Sequence, residues 1–226
     1  MSVAIAPARS DAVRVTAIPG IDVWLVDPSP ERAEAVAATL VEEEVARASR
    51  VRKERRDKFT AVRGTLRMLL AEQLDSEPHE VPIVYGEHGK PSLDPALDTD
   101  VRFNVSHTGG LAAIAIARGR DVGIDVELRR PRRRLELLAR AVLSRAEREW
   151  FDGLPEEERL PAFLDVWSAK EAYSKLLGRG LQLSFRGVAL DDPAAPRTGV
   201  LDGGVRSGCT VHRLPVGPTH SGALAA

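Results

Sequence analysis

Apolar and polar residues alternate along the segment Val122–Leu128, which reads VGIDVEL. Alternation with a period of two predicts a β-strand whose four apolar side chains share one face. The opposite face carries Gly123, Asp125 and Glu127. Residues two apart on a strand lie about 7 Å apart, so the two carboxylates either project into solvent or converge on a positive group. The strand alone leaves both interpretations open.

The same patterns predict the other elements of the chain. Residues 1–20 read as a loose leader, and a helical region in two or three pieces follows between Glu31 and Leu74. Later helices are predicted at Leu135–Leu143, from the capping box Ser144–Glu147 onward, and at Leu160–Leu177. The predicted strands are Ile21–Val26, Val81–Tyr85, Val101–Ser106, Leu111–Ala117, Val122–Leu128, Ser184–Leu190, Gly208–Leu214 and His220–Ala225.

The helix predicted at Leu160–Leu177 carries a second charged motif. Trp167, Glu171 and Lys175 are spaced by four residues and therefore share one helix face. An exposed Glu–Lys pair at this spacing is common and stabilises a helix by only about 0.3–0.5 kcal/mol. We expect Trp167 in the core, which places Glu171 at the edge of the buried surface.

If this helix packs near the Val122–Leu128 strand, three carboxylates meet, those of Asp125, Glu127 and Glu171. Three anions in a partly buried site repel one another unless a cation lies between them. Carboxylate ligands favour Mg²⁺ or Mn²⁺ over Zn²⁺, and Mg²⁺ in such sites usually also binds substrate phosphates. Lys175, one turn further along the helix, is then placed to hold a phosphate oxygen.

Composition limits the class of protein. The chain has 226 residues, 43% of them hydrophobic, which is enough for a folded core. Its net charge of −1 provides no overall field to attract nucleic acid or a membrane surface. Because Cys209 is its single cysteine and neither a signal peptide nor an apolar membrane span is recognisable, we expect a cytoplasmic protein.

Other residues would suit a ligand that carries phosphate. Lys90 lies in a Gly-Lys-Pro turn, where glycine permits close backbone approach, and Ser106 and His107 end a predicted strand. A lone histidine in such a place is more often structural than functional. Most of the basic side chains early in the helical region are expected on a solvated face, with one or two available for a phosphate: Arg47, Arg50, Arg52, Lys53, Arg55, Arg56, Lys58 and Arg63.

Together these motifs resemble the Sfp-type 4′-phosphopantetheinyl transferases. The resemblance extends from about Arg47 to Leu181, and its motifs occur in the family's order. The combination of G-[IV]-D-x-E with W-x-x-K-E-A-x-x-K is specific, because each motif supplies ligands for one site. The motifs are Gly89–Pro91, Phe103–His107, Gly123–Glu127, Trp167–Lys175 and Gly178–Leu181.

The resemblance implies a reaction and its catalytic residues. Coenzyme A donates its 4′-phosphopantetheine arm to a serine of an apo carrier protein, and adenosine 3′,5′-bisphosphate leaves. By the family pattern Asp125, Glu127 and Glu171 bind Mg²⁺ with the pyrophosphate, although Mn²⁺ would also suit them. Glu171 is also a candidate general base, and Lys175 holds a phosphate oxygen and stabilises the transition state.

The resemblance also implies contacts with coenzyme A. Lys90, with Pro91 beside it, Ser106 and His107 match positions that contact its phosphates and adenine side, as does Lys175. The family uses early basic residues for the 3′-phosphate, and here the alignment allows Arg47 or Arg50. The basic loop Arg129–Arg134 either steers an acidic carrier or is a solvated loop. The carrier's pathway, in fatty-acid, polyketide or non-ribosomal peptide synthesis, stays open.

The fold implied by the resemblance is α+β, with two similar α+β halves that form an intramolecular pseudo-dimer. The predicted halves are residues 1–120, for the adenine and 3′-phosphate side of coenzyme A, and residues 121–226, for the metal ligands and catalytic helix. The active site is expected in the cleft between them, in a monomeric protein.

Two alternatives explain some of these features. Another Mg²⁺-dependent phosphate-transfer enzyme would explain the carboxylates, but not the KEAxxK helix in this order, and no Walker loop is present. A non-catalytic carrier-binding scaffold would be expected to have lost one of the three acids, and all three are present.

Overall fold

The computed structural model describes residues 12–86, 89–179 and 183–226. The helical region before Leu74 divides into three helices, and the capping box predicted at Ser144 and Glu147 begins a later one. None of the helices in this part of the chain has the length and apolar content that crossing a bilayer requires. The helices are α1 (Pro30–Val36), α2 (Glu42–Ser49), α3 (Lys53–Leu74), α4 (Leu135–Val142), α5 (Arg145–Asp152) and α6 (Glu156–Leu176).

The strands of the described residues form three antiparallel sheets. They are β1 (Ala12–Ile18), β2 (Ile21–Val26), β3 (Ile83–Tyr85), β4 (Pro91–Leu93), β5 (Val101–Thr108), β6 (Leu111–Arg118), β7 (Gly123–Leu128), β8 (Val188–Leu190), β9 (Arg197–Asp202), β10 (Val205–Arg213) and β11 (His220–Ala225). One sheet has the order β1-β2-β6-β5, the second β7-β11-β10-β9-β8, and β3 pairs with β4.

Each of the two larger sheets packs against a long helix. Leu66 and Leu70 of α3 share a core with Ile114 of β6, whereas α6 packs on β7 and β11. The first sheet draws its strands from residues 12–118 and the second from residues 123–225. The α+β fold class with two helix-covered halves is therefore confirmed, while the predicted domain limits at residues 120 and 121 stay a prediction.

Strand β6 joins the two halves because it is buried on both faces. The side chains that pack towards α3 are Ala112, Ile114 and Ile116. The side chains that pack towards the second sheet are Ala113, Ala115 and Ala117, in one cluster with Val122, Ile124 and Val126. Because alanine side chains are small, β6 and β7 can lie close together. The apolar face predicted for the Val122–Leu128 strand therefore packs against the other half of the chain.

The structure differs from the predicted elements in several places. The predicted leader contains β1, which pairs with β2, while residues 1–11 lie outside the described part. Strands β4 and β9 were not predicted, and they pair with β3 and β10, respectively. Helix α6 begins at Glu156 and continues through Pro161, which lies in its second turn and lacks the N–H for one helical hydrogen bond. Residues Phe185–Gly187 form a 3₁₀ turn, so β8 is short.

The close packing of α6 on β7 explains why glycine occupies position 123, beside the two acids of the strand. A Cβ atom at this position would overlap the backbone carbonyl of Ala172 and the backbone nitrogen of Leu176, both in α6. The helix therefore lies directly on the face of β7 that carries Asp125 and Glu127. This close contact brings Glu171 and Lys175 to the two strand carboxylates.

We predict that Gly123→Ala destabilises the protein by about 1–3 kcal/mol, because the added methyl group forces α6 away from β7. Chemical denaturation measures the loss. Gly187→Ala is the matched control, since a Cβ there meets nothing within 4 Å, and we expect a change within about 0.5 kcal/mol. Equal unfolding midpoints for the two variants would contradict the close contact.

Candidate active site

The acid cluster, which consists of Asp125, Glu127 and Glu171, forms where α6 crosses β7. Asp125 is only 5% exposed. Its Oδ1 accepts hydrogen bonds from Lys175 Nζ at 2.7 Å and from Ser106 Oγ at 2.9 Å. Four of the residues singled out in the sequence thus meet in one place: Ser106, Asp125, Glu171 and Lys175.

The carboxyl groups of this cluster are close enough to perturb one another. The pKa of Glu171 is raised, first by its burial and then by the negative charges of Asp125 and Glu127, while Lys175 opposes the rise. Burial also raises the pKa of Asp125, although Lys175 and Ser106 favour its charged form. The carboxylate face of β7 is therefore not a solvated strand face.

Two cationic side chains neutralise these acids. Lys175 Nζ donates to Ser106 Oγ at 2.9 Å and to the Ile124 carbonyl at 3.1 Å in addition to Asp125. Arg132 Nη2 donates to Glu127 Oε2 at 2.8 Å and so holds Glu127 by its own ion pair. With these contacts in place, no three acidic, histidine or cysteine side chains in the described ranges are arranged to bind a metal ion together.

The chemistry of the cluster nevertheless suits a hard divalent cation. Asp125 Oδ2 is buried and accepts no hydrogen bond. A buried carboxylate oxygen without a donor costs free energy, and a coordinated cation removes that cost. Asp125, Glu127 and Glu171 supply the oxygen ligands that Mg²⁺ and Mn²⁺ prefer.

A basic cavity of about 460 Å³ lies between α2, α3 and the end of β5. Its volume is in the range of small-molecule sites. Four cationic side chains and two aromatic rings contribute to its wall, together with Pro91 and His107: Arg47, Arg55, Lys58, Arg63, Phe59 and Tyr85. The concentration of positive charge makes it suitable for a phosphate group.

Arg47 and Arg63 are held against the same two rings. The Arg47 guanidinium lies 5.6 Å from the centre of the Phe59 ring and 5.2 Å from that of Tyr85. The corresponding distances for Arg63 are 5.9 and 5.5 Å. Cation–π contacts of this kind orient a guanidinium without using its hydrogen-bond donors.

Arg63 is the most buried of these cations, at 8% exposure. It donates from Nη2 to Tyr85 Oη at 2.6 Å and lies 3.4 Å from Glu44, but its buried Nη1 has no hydrogen-bond partner. Burial lowers the pKa of Arg63 despite nearby Tyr85 and Glu44. An anion in the cavity would satisfy the free donor.

Of the two arginines proposed for the 3′-phosphate, the structure places Arg47 in the cavity wall and Arg50 outside it. Arg55, Lys58 and Arg63, which the sequence placed only in a basic stretch with one or two phosphate contacts, also line the cavity, and so does Tyr85, which was not singled out. Arg55, Lys58, Phe59 and Val62 follow the spacing of one face of a helix, which could have identified them. Tyr85 reaches the cavity only because β3 packs near α3, and no local sequence pattern indicates this tertiary contact.

His107 and Ser106 connect the cavity with the acid cluster. Adjacent strand residues point to opposite faces, so His107 lines the cavity while Ser106 bonds to Asp125. The pKa of His107 is lowered, first by partial loss of solvent and then by the charges of Lys175 and Lys58. The neutral form of the ring is therefore favoured, and cations from both halves lie near it.

Lys90 forms a direct link between the two halves. Its Nζ donates to the backbone carbonyl of Lys175 at 2.6 Å, and burial lowers its pKa. Lys90 and Pro91 also border a second cavity of about 540 Å³, which includes none of the acid cluster. Asp94, Asp98 and Asp121 line that second cavity, so its charge is less suited to a polyanion.

Lys170, the first lysine of the KEAxxK motif, is structural. It is completely buried, and its Nζ donates to Glu147 Oε2 at 2.5 Å and to the carbonyls of Val142 and Phe185, both at 2.9 Å. Glu147 also accepts from the backbone nitrogens of Ser144 and Leu190. This ion pair fixes α6 to α5 and β8, and it keeps the Lys170 ammonium away from the cavity.

Two family models match the chain, one for each half. The model described as "4′-phosphopantetheinyl transferase superfamily" matches residues 121–216, and the one described as "4′-phosphopantetheinyl transferase, N-terminal" matches residues 24–118. The first match contains the acid cluster and Lys175, and the second contains the basic cavity.

The chain is also similar to proteins from several bacteria. It is 38% identical over 174 residues to the 4′-phosphopantetheinyl transferase HetI of a Nostoc species, covering 76% of this chain and 71% of that protein. It is 36% identical to the 4′-phosphopantetheinyl transferase AcpT of Escherichia coli, and the match covers 55% of this chain and 59% of that protein. It is 29% identical to the 4′-phosphopantetheinyl transferase Sfp of Bacillus subtilis, and the match covers 52% of this chain and 50% of that protein.

We predict that Lys170→Met lowers the free energy of unfolding by about 3–5 kcal/mol, because it leaves the buried Glu147 without its counter-ion. Adding Glu147→Gln should restore part of that loss, since the amide removes the charge. Lys53→Met is the control: Lys53 is 66% exposed in its ion pair with Asp57, and its loss should change stability by less than about 1 kcal/mol. Urea denaturation distinguishes these outcomes, and a small effect of Lys170→Met would contradict the assignment.

Proposed function

Since the chain belongs to the 4′-phosphopantetheinyl transferase superfamily, it transfers the phosphopantetheine arm of coenzyme A to a carrier protein, and we propose that it does so with Mg²⁺ in the acid cluster. One observation supports this arrangement above all. A cationic cavity and an anionic cluster lie at the two faces of the end of β5, joined by His107 and Ser106. Coenzyme A carries a 3′-phosphate at one end and a pyrophosphate further along, which suits these two charges.

The acid cluster is the proposed metal site. Asp125, Glu127 and Glu171 would hold the ion, and the free Oδ2 of Asp125 supports this. A bound divalent cation would neutralise the negative charge that develops on the bridging oxygen. Mn²⁺ satisfies the same ligands.

Lys175 and Glu171 are the proposed catalytic residues. The serine oxygen bonds to the phosphorus next to the pantetheine, the bond from that phosphorus to the bridging oxygen breaks, and adenosine 3′,5′-bisphosphate leaves. Lys175, which donates to Asp125 and Ser106, instead donates to a phosphate oxygen. Glu171 takes the serine proton, directly or through water.

The basic cavity is the proposed site for the 3′-phosphate and the adenine side. Arg47, Arg63, Arg55 and Lys58 provide the positive charge, and the unpaired Nη1 of Arg63 provides a ready donor. Lys90, Pro91 and His107 border the path towards the pyrophosphate. Arg50, the other arginine considered for the 3′-phosphate, does not line this cavity.

We also infer that the protein acts as a monomer in the cytoplasm. The two helix-covered halves already provide both sides of the proposed site. The lone thiol of Cys209 is free, and burial raises its pKa to about 11, so it is unreactive at neutral pH.

Mass spectrometry of apo carrier domains tests the reaction. After incubation with coenzyme A and Mg²⁺, a carrier with a modifiable serine should gain the mass of one phosphopantetheine, and a Ser→Ala carrier should not. A panel of fatty-acid, polyketide and non-ribosomal peptide carriers would identify the preferred one. Unmodified carriers throughout would refute the proposal.

We predict that Asp125→Ala and Glu171→Ala each reduce transfer at least about 100-fold, because each removes charge stabilisation from the transition state. Glu127→Ala should have almost as large an effect. Calorimetry should show that Mg²⁺-dependent coenzyme A binding is lost while thermal unfolding remains cooperative. Glu157→Ala, an exposed acid of α6, is the control, and wild-type rates in the Asp125 or Glu171 variant would refute the metal assignment.

We predict that Arg47→Ala and Arg63→Ala each raise the KM for coenzyme A about tenfold, because each removes a charged partner of the 3′-phosphate. With 3′-dephospho-coenzyme A, which lacks that group, the variants and the wild type should differ less than twofold. Arg50→Ala is the control and should behave as the wild type with both substrates. A larger effect of Arg50→Ala would place the 3′-phosphate elsewhere.

A further inference from the structure

Two arginines one turn apart on α3 are buried, and only one of them has all its donors satisfied. Arg67 Nε and Nη2 donate to Glu44 at 2.6 and 3.2 Å. Its Nη1 donates to the carbonyls of Pro78 and Val81 at 2.9 and 3.0 Å. Arg63 lies four residues earlier, and its buried Nη1 has no hydrogen-bond partner among the described residues. A buried donor without an acceptor costs free energy, so the contrast points to a ligand for Arg63.

Tyr85 is the second polar group that this contrast involves, and it lines the basic cavity. Its hydroxyl accepts from Arg63 Nη2 at 2.6 Å. A phenol can accept one hydrogen bond and donate another, and none of the residues that the structure describes accepts from the Tyr85 hydroxyl. The charge of Arg63 polarises this hydroxyl and strengthens it as a donor. Its proton is therefore available to a ligand in the cavity.

The β3–β4 ribbon fixes Tyr85 at the cavity wall. Tyr85 pairs with Pro91, and the backbone nitrogen of Gly86 donates to the Lys90 carbonyl at 3.0 Å. Lys90 reaches in turn to the Lys175 carbonyl, so the ribbon is also tied to the half that carries the acid cluster. The Tyr85 side chain is 44% exposed. Backbone pairing, and not apolar burial, therefore determines where its hydroxyl lies.

The ring of Tyr85 brings two like charges together. The guanidinium groups of Arg47 and Arg63 lie 5.2 and 5.5 Å from its centre. Two cations at one ring repel each other, and an anion bound in the cavity would reverse that cost. Phe59 contacts the same two guanidinium groups but has no polar atom. Of the two rings, only that of Tyr85 can therefore both orient the cations and bind a phosphate oxygen.

The hydroxyl also keeps Arg63 in place beside a competing acid. Arg63 Nε lies 3.4 Å from Glu44, which is the partner of Arg67 and accepts from the Val41 nitrogen as well. If the Tyr85 hydroxyl were absent, the guanidinium of Arg63 would be free to turn further towards Glu44. Its donors would then be used within the protein instead of for a ligand.

We propose that Tyr85 is a specificity-determining residue for the 3′-phosphate of coenzyme A, to which its hydroxyl donates while accepting from Arg63. The inference rests on the proposed function, because it takes the basic cavity as the 3′-phosphate site. Cations alone attract any phosphate, whereas a hydroxyl and a guanidinium held in fixed geometry require a phosphate at one position. Tyr85 therefore distinguishes coenzyme A from its 3′-dephospho form.

The decisive variant is Tyr85→Phe, which keeps the ring and removes the hydroxyl. Tyr173→Phe is the matched control, since it removes the same group from a hydrogen bond with Asp202 at 3.2 Å, between α6 and β9. Calorimetry measures the binding of adenosine 3′,5′-bisphosphate and of adenosine 5′-monophosphate, without metal or carrier. We expect Tyr85→Phe to weaken bisphosphate binding about tenfold, the effect of losing one hydrogen bond to a charged group. Monophosphate binding by Tyr85→Phe, and the binding of both nucleotides by Tyr173→Phe, should change less than about twofold.

A double-mutant cycle tests whether Tyr85 and Arg63 act together. In the Arg63→Ala background, Tyr85→Phe should weaken bisphosphate binding by less than about threefold, because the hydroxyl has already lost the guanidinium that orients and polarises it. Thermal unfolding of each variant confirms that it is folded. A full tenfold effect in that background would contradict the joint action of the two side chains.

The outcomes separate the role of Tyr85 from the site and from the reaction. Wild-type bisphosphate affinity in Tyr85→Phe would overturn the role of Tyr85 and leave the 3′-phosphate site intact, and an equal loss for both nucleotides would overturn it as a general disturbance of the cavity. If the wild type binds the two nucleotides equally, the basic cavity is not the 3′-phosphate site and both proposals fail. If the wild type prefers the bisphosphate through Tyr85 and yet transfers nothing to any carrier, the inference stands and the proposed transfer fails.

Discussion

The crowding of carboxylates between β7 and α6 is the constraint on which the rest of the structure depends. Asp125 is buried, and the negative charges of Glu127 and Glu171 lie close enough for the three carboxylates to repel one another. Ion pairs of Lys175 with Asp125 and of Arg132 with Glu127 offset this repulsion. Such an arrangement is unfavourable for stability alone. It persists because Gly123 lets α6 lie on the strand and because the Lys170–Glu147 pair fixes the same helix from its other side.

The two halves divide the charges between them. The first half provides a cationic cavity with aromatic walls, and the second provides the acids and Lys175. Beside the apolar contact of β6 with the second sheet, polar groups cross the boundary near the site: Lys90 reaches the Lys175 carbonyl, and Asn104 and Ser106 accept from backbone nitrogens of β7. These contacts set the distance between the two ends of a bound coenzyme A.

The sequence was most informative where chemistry and periodicity coincided. Alternation in Val122–Leu128 and the spacing of Trp167, Glu171 and Lys175 identified the elements that form the acid cluster, and the family resemblance supplied the two-half fold. Strands β1, β4 and β9 were missed, because edge and hairpin strands with mixed polarity depend on their partners for definition. Arg63 was treated as part of a solvated face, since only the return of Tyr85 and Glu44 to α3 buries it.

The double burial of β6 has a consequence for how the chain can be divided. An isolated first half would present Ala113, Ala115 and Ala117 with Ile21 and Val23 to water, and an isolated second half would present Ile124, Val126 and Leu224. Each fragment would expose a continuous apolar surface and would therefore tend to self-associate. The halves therefore resemble two subunits of an obligate dimer that share one polypeptide, and a split version could work only by reassembly of the complementary pieces.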